Sequence, residues 1–145
     1  MRLTTHTDYA LRVLIYAAVS PAHTCTIEAI ATAYGISRNH LMKVVRGLGE
    51  KGFLETVRGR GGGLRLARDP SKIIVGDVVR AMEEDFAQAE CFKPETNTCL
   101  IAPACGLMGA LKRATDAYLG ALDGVSLADI ARRRDRLADL LELAG

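Results

Sequence analysis

The sequence lacks any apolar run long enough to cross a membrane. Its first three residues lead directly into the polar segment 4–8, so we expect no signal peptide. We therefore predict a cytoplasmic protein with no membrane partner, in which thiols stay reduced. A chain of 145 residues can bury a hydrophobic core as one domain, with or without an appendage.

Catalytic signatures are also lacking. The sequence offers no nucleophile paired with a general base, no paired catalytic carboxylates and no phosphate-binding loop. Its glycine-rich segment, residues 58–62, is not followed by a helix that opens with Lys and Ser or Thr. We predict that the protein is not an enzyme.

Four cysteines are present, but the sequence has no Cys-x2-Cys pair of the kind common in zinc sites. Three of them follow a Cys-x7-Cys-x5-Cys spacing, namely Cys91, Cys99 and Cys105. Pro94 and Pro103 prevent a helix from crossing this segment, so we predict a loop on which the thiols can converge. Thiolates on a loop suit soft metals, which favours an iron–sulfur cluster.

From the residues alone, three alternatives to a cluster stay open. They are a zinc site, a disulfide pair with a spare thiol, and a set of unrelated buried cysteines. A cluster held by three loop thiols needs a fourth ligand from elsewhere or leaves one iron open. The remaining cysteine, Cys25, is expected to be a packing or surface thiol.

Charge is unevenly distributed although the net charge is only +2. Residues 37–68 contain eight basic and two acidic side chains, whereas residues 77–105 contain two basic and six acidic ones. The first of these regions is suited to a polyanion such as double-stranded DNA, and the second is not.

Three helices are predicted in the first fifty residues, of which the second and third are short. The first opens at Thr7–Asp8, and the others follow the N-cap residues Thr26 and Ser37. A tight turn at Gly35 separates the second and third helices, which is the helix-turn-helix pattern whose second helix enters the major groove. A solvated helix face is the alternative interpretation. The residues predicted to contact DNA are Ser37, Arg38, Asn39, His40 and Lys43.

Two strands are predicted at residues 53–57 and 63–67, on either side of the basic glycine-rich segment. Glycines let the backbone approach a partner closely, and arginine favours a narrow minor groove. A basic hairpin directly after a helix-turn-helix indicates a winged helix. We predict that Arg58, Arg60 and Arg65 contact DNA.

A long helix with a heptad-like seam is predicted after the cysteine loop. One small domain rarely needs so long a seam, so we expect it to pack against the same helix of a second chain, giving a homodimer. An ordinary core helix is the alternative. Gly124 ends this helix, and the last helix starts at Ser126 with residues 132–134 on its solvated face. The seam residues are Leu107, Ala110, Leu111, Ala114, Ala117, Tyr118, Ala121 and Leu122.

These patterns predict a mainly α fold with a small β-hairpin wing. Residues 1–82 form a winged helix-turn-helix domain that includes the N-terminal helix. Residues 83–105 form the cluster-binding loop, and residues 106–145 form the dimerisation helix and the C-terminal helix.

The chain resembles the NsrR family of nitric-oxide-sensing repressors, winged-helix relatives of the iron–sulfur regulator IscR. The resemblance extends nearly end to end. It rests on residues 3–12, 37–45, 57–66, 74–80, 103–105 and 126–129.

The resemblance implies a homodimeric repressor of operator DNA that responds to nitric oxide through one iron–sulfur cluster per subunit, with [4Fe-4S] as the expected type. Its ligands would be Cys91, Cys99, Cys105 and Asp8 of the partner subunit, and Arg12 would orient that carboxylate. The IscR-like branch uses a histidine soon after the third cysteine, and none follows here. The seven-residue gap is longer than the family pattern. A redox or iron–sulfur status regulator with a [2Fe-2S] cluster, or a metal-free thiol switch, is the alternative.

Overall fold

The computed structural model describes residues 2–143, in which seven α-helices and one β-hairpin form. The hairpin strands are β1 (Leu54–Val57) and β2 (Gly63–Leu66). Single 3-10 turns occupy Pro70–Lys72 and Glu90–Phe92. The helices are α1 (Thr5–Val19), α2 (Ile27–Tyr34), α3 (Arg38–Glu50), α4 (Val75–Met82), α5 (Leu107–Asp123), α6 (Leu127–Ile130) and α7 (Arg134–Leu140). The predicted fold class, mainly α with a small β-hairpin wing, is confirmed.

Helix α1 lies at the centre of the fold and packs against α3, α4, β2, α6 and α7. Its inner face is fully buried at Ala10, Val13 and Leu14. The helix begins at Thr5, earlier than the predicted start at Thr7–Asp8, because the Thr4 hydroxyl accepts a hydrogen bond from the Thr7 N–H and caps the first turn.

The structure confirms the predicted helix-turn-helix and the N-cap residues of both its helices. The hydroxyls of Thr26 and Ser37 accept hydrogen bonds from the backbone N–H groups of Ala29 and His40. Gly35 ends α2 with φ +63°, a left-handed conformation that glycine adopts without the Cβ penalty. The inner face of α3 is buried at Leu41, Val44 and Leu48.

The wing strands pair antiparallel, with Leu54 opposite Leu66 and Val57 opposite Gly63. Both are one residue shorter at their outer ends than the predicted 53–57 and 63–67. Cys25 extends the ladder, because its backbone N–H donates to the Leu64 carbonyl at 2.8 Å and its carbonyl accepts from the Leu64 N–H at 2.7 Å. Gly63 is needed here, since a Cβ would lie 2.4 Å from the Cys25 carbonyl oxygen.

Helix α5 is joined to the rest of the fold through α4, which packs on both α1 and α5. Val75, Val79 and Leu119 form a small second core between the two helices. Beside it, the Arg80 guanidinium binds both carboxylate oxygens of Asp123, at 2.5 and 2.7 Å. This pair fixes the end of α5 against α4.

The predicted single C-terminal helix is wrong, because the structure has two short helices there. Ser126 and Asp129 form a capping box that starts α6, which ends at Ile130. Arg133 lies outside the helical region, at φ −85° and ψ 57°, and precedes α7. Arg132 and Arg133 are therefore exposed residues of the link and do not lie on a helix face. No helix among residues 2–143 is both long and apolar enough to span a membrane.

Candidate metal centre and nucleic-acid interface

The three loop cysteines are free thiols in distinct surroundings. Cys91 lies in the 3-10 turn and is partly buried, whereas Cys99 is exposed. Cys105 is partly buried, and its sulfur accepts the backbone N–H of Leu107 at 3.5 Å as α5 begins. Among residues 2–143, no three His, Cys, Asp or Glu side chains converge closely enough to hold a metal ion.

The donor set of this loop nevertheless fits an iron–sulfur cluster. Three thiols lie on one short segment, and soft thiolates are the ligands that such clusters take. The N-terminal part of the loop is held by its polar side chains, since Asp85 binds the Lys93 ammonium at 2.8 Å and Gln88 donates to the buried Thr115 hydroxyl of α5. The Lys93 ammonium lowers the pKa of the Asp85 carboxyl, and the Ala87 N–H adds to this effect.

Asp8 and Arg12 are one turn apart on α1 and form an ion pair. Arg12 Nη2 lies 2.8 Å from Asp8 Oδ2, and Nε donates to Oδ1 at 3.3 Å. The guanidinium therefore contacts the carboxylate within one chain. Their roles at a cluster stay a prediction.

The same guanidinium joins Asp8 to the helix-turn-helix through two tyrosines. The carbon atom of the Arg12 guanidinium lies 5.7 Å from the Tyr9 ring centroid and 5.9 Å from that of Tyr34. The Tyr34 hydroxyl donates to the Arg12 carbonyl at 3.1 Å, and burial raises the pKa of Tyr34 to about 12, so this donor stays protonated at neutral pH. The Tyr9 ring meets the His40 ring edge-on at a centroid distance of 4.8 Å. A continuous set of contacts thus joins Asp8 to the start of α3.

The predicted DNA-contacting residues of α3 divide into two groups. In the first group, Ser37 caps the helix and His40 packs on Tyr9, so both side chains make contacts within the protein. Arg38, Asn39 and Lys43 are exposed, and Arg38 Nε lies only 3.5 Å from the Glu28 carboxylate. Their contact with DNA stays a prediction.

Sequence reasoning missed one exposed side chain on this helix. Met42 is 46% exposed although it is a large apolar residue. An apolar side chain on a recognition helix can contact the methyl group of thymine. The only signal in the sequence was its position next to Lys43, one of the residues predicted to contact DNA.

The wing arginines also differ from one another. Arg58 and Arg60 are exposed at the hairpin tip and make no ion pair within residues 2–143. Arg65 forms a cross-strand ion pair with Glu55, which partly neutralises it. Arg68 is one of the eight basic residues in the segment 37–68. Its guanidinium carbon lies 4.9 Å from the Phe53 ring centroid, and the guanidinium donates a hydrogen bond to the Gly52 carbonyl.

The α5 seam consists of two stripes. Tyr118 and Leu122 pack on the core between α4 and α5, and Leu111 is partly buried. The other predicted seam residues form an exposed stripe of small and apolar side chains along this helix. They are Leu107, Ala110, Ala114, Ala117 and Ala121.

Residues 3–133 match the family model described as Rrf2, iron-dependent transcriptional regulator. The chain belongs to the Rrf2 family. It is also 49% identical to the HTH-type transcriptional regulator NsrR of Bacillus subtilis (strain 168), over 99% of both chains. Its identity to the Rhizobium meliloti (strain 1021) protein aau3 is 42%, over 99% of this chain and 93% of that one. The predicted resemblance to NsrR is confirmed.

Two solved structures share the Rrf2 fold of this chain. That of T. potens IscR superposes with a TM-score of 0.73 at 22% identity, covering 92% of this chain and 88% of that one. That of CymR, the global cysteine regulator of B. subtilis, gives a TM-score of 0.74 at 24% identity, covering 92% and 98%. The family places this chain among transcriptional regulators.

Proposed function

We propose that this Rrf2 regulator is a nitric-oxide-responsive repressor that binds operator DNA as a homodimer and uses an iron–sulfur cluster as its sensor. The observation that carries the proposal is that the chain has a three-thiol loop and also a carboxylate, Asp8, that is joined by contacts to the recognition helix. The relatives named NsrR support it.

The proposed cluster ligands are the three loop thiols and one carboxylate from the second chain. Cys91, Cys99 and Cys105 would hold the cluster, with Asp8 of the partner subunit as the fourth ligand. When bound, a [4Fe-4S] cluster supplies iron, to which nitric oxide binds. A carboxylate is a harder ligand than a thiolate, so the Asp8 position is the one we expect nitric oxide to reach most easily.

The residues of α1 couple that position to DNA. Arg12 holds the Asp8 carboxylate and lies against Tyr9, which in turn packs on His40 at the first turn of α3. A displacement of Asp8 therefore changes the support of the helix that enters the major groove. A coupling free energy of about 1–3 kcal/mol would change operator affinity by roughly one to two orders of magnitude.

The exposed charges of the winged helix supply the proposed DNA contacts. Arg38, Asn39 and Lys43 would reach base edges and phosphates in the major groove, and Arg58 and Arg60 the adjacent minor groove. Two such domains in a homodimer would read half-sites roughly one helical turn apart. The exposed stripe of α5 is the surface that would join the two chains.

The test is an anaerobic titration. The protein is purified without oxygen, analysed for iron and sulfide, and bound to an operator selected with it from a random DNA pool. Nitric oxide is then added while visible absorbance and operator binding are followed together. We expect cluster absorbance and DNA binding to fall in step. Protein without iron, or DNA binding that ignores nitric oxide, would contradict the proposal.

A second candidate is a redox regulator with a [2Fe-2S] cluster or a metal-free thiol switch. The free, exposed Cys99 thiol favours it, since accessible thiols are the ones that oxidants reach. The iron-to-protein ratio and electron paramagnetic resonance of the reduced protein distinguish the two candidates.

A further inference from the structure

We infer that Glu90 is a positioning residue of the cysteine loop, whose carboxylate holds Thr98 and thereby brings the backbone at Cys99 towards Cys91. The purpose of this contact rests on the proposed function, but the contact itself does not. Glu90 directly precedes Cys91, and Thr98 directly precedes Cys99. A contact between Glu90 and Thr98 therefore sets the separation of the backbone positions that carry Cys91 and Cys99.

The contact is made by one carboxylate oxygen. Glu90 Oε1 accepts a hydrogen bond from the Thr98 hydroxyl at 2.8 Å and a second from the Thr98 backbone N–H. Hydrogen bonds to an ionised carboxylate are shorter and stronger than those between neutral groups. We call this pair of bonds the Glu90–Thr98 clamp.

The clamp acts where the chain has few other restraints. Eight peptide steps separate Glu90 from Thr98, and a fully extended segment of that length would span up to about 28 Å. None of the residues between them is buried, so apolar packing does not fold this segment. Among the described contacts, the gap between Cys91 and Cys99 is thus closed by the two hydrogen bonds from Thr98 to Glu90.

The acidic residues of the loop differ in the contacts that their carboxylates make. Asp85 is occupied by Lys93 and by the Ala87 N–H, which it accepts at 2.9 Å. Glu95 lies between the two cysteines, yet it makes no hydrogen bond or ion pair in the part of the chain that the structure describes. Glu95 is therefore a matched control for Glu90, with the same charge on the same loop.

The test measures the distance between two thiols in the absence of any cluster. The full-length chain carrying Cys105→Ala retains two loop thiols, and the buried Cys25, whose pKa burial raises to about 11, does not compete for a thiol reagent at neutral pH. Phenylarsine oxide, which bridges two nearby thiols, is titrated into the reduced apo protein by calorimetry. We expect Glu90→Ala to weaken its binding about fivefold, whereas Glu95→Ala leaves it unchanged.

Conservative variants separate positioning from a general effect of the substitution. Thr98→Val removes the hydroxyl while keeping the shape, and Thr98→Ser keeps the hydroxyl. We expect the first to weaken arsenical binding and the second to match the parent protein. Equal binding by Glu90→Ala and Glu95→Ala would overturn the inference, as would equal binding by the two Thr98 variants. Thermal melts check that each variant is folded.

The outcome also distinguishes the clamp from the proposed function. In the chain with all its cysteines, anaerobic Glu90→Ala is expected to lose cluster absorbance faster than Glu95→Ala. If the parent chain takes up no iron while arsenical binding still depends on Glu90, the clamp stands and the sensor proposal fails. If the parent binds a cluster while the two glutamate variants behave alike in both assays, the sensor proposal stands and the clamp is wrong.

Discussion

The winged-helix half of the molecule and the cysteine loop are held together by different forces. The first contains side chains with no solvent exposure, such as Leu14, Ile30 and Leu48. Between residues 83 and 106 no residue is buried, and hydrogen bonds that acidic side chains accept hold much of the loop. Segments with few buried apolar contacts are the ones that open at low free-energy cost. The DNA-binding half can therefore support itself, whereas the loop is suited to be fixed by something that binds to it.

The largest expected contrast tests this difference in packing directly. Leu48→Ala should lower the free energy of unfolding by about 2–5 kcal/mol, because it leaves a cavity in the core of the winged helix. Leu100→Ala in the loop should change it by less than about 0.5 kcal/mol, since Leu100 is 95% exposed. Urea unfolding of both variants gives the comparison. A large loss in Leu100→Ala would indicate that the loop packs against a second chain in solution.

The second contrast concerns function and not stability. Cys99→Ala should abolish cluster binding and weaken specific operator binding by roughly ten- to a hundredfold, while the free energy of unfolding of the apo protein stays nearly unchanged because Cys99 is exposed. Iron analysis and operator binding at fixed salt are the measurements. Cys25→Ala is the control and should retain iron. If Cys99→Ala still bound its operator tightly and independently of nitric oxide, the sensor mechanism would fail.

The two regions also differ in how far the sequence predicted them. Helical periodicity, the N-cap residues Thr26 and Ser37 and the turn at Gly35 predicted the helix-turn-helix, because those signals are local. Pro94 and Pro103 predicted the cysteine loop, but its contacts depend on side chains far apart in the chain, such as Gln88 with Thr115. No periodic pattern encodes such pairs. The three-part domain division and the roles of the site residues stay predictions.

The C-terminal helices show where local signals misled. Residues 126–143 have helical composition, and the predicted helix ran through the arginines. The capping box of Ser126 and Asp129 and the non-helical Arg133 divide it into two helices that pack on α1. Tertiary packing of short helices decides such a break, and no glycine or proline marks it between residues 127 and 140.

A smaller effect is expected where the two regions meet. Glu83, the first residue after α4, accepts hydrogen bonds from the Thr4 backbone N–H at 2.8 Å and from its hydroxyl at 3.1 Å. Thr4 also caps α1, so Thr4→Ala should lower the free energy of unfolding by about 1 kcal/mol. Thr5→Ala, one residue on and exposed, is the control and should have little effect. Equal losses in the two variants would show that the cap does not stabilise α1.

The smallest expected effect is a pH dependence outside the loop. Asp129 accepts hydrogen bonds from the Ser126 hydroxyl at 2.7 Å, the Ser126 N–H at 3.0 Å and the Arg132 guanidinium at 2.8 Å, which lower the pKa of its carboxyl to about 2. Because the folded pKa lies below the ordinary value of 3.8, this carboxylate stabilises the fold above about pH 4 and ceases to do so as the pH falls towards 2.

The comparison that isolates this effect is between the parent protein and Asp129→Asn. Other carboxyls, including Asp85 and Asp123, also have lowered pKa values, so acid destabilises the parent protein for several reasons at once. The difference in urea midpoint between the two proteins should be present at pH 7 and shrink between pH 4 and pH 2. A difference that stays constant over this range would mean that the carboxylate charge of Asp129 contributes nothing, and that only the shape of the capping box holds α6 in place.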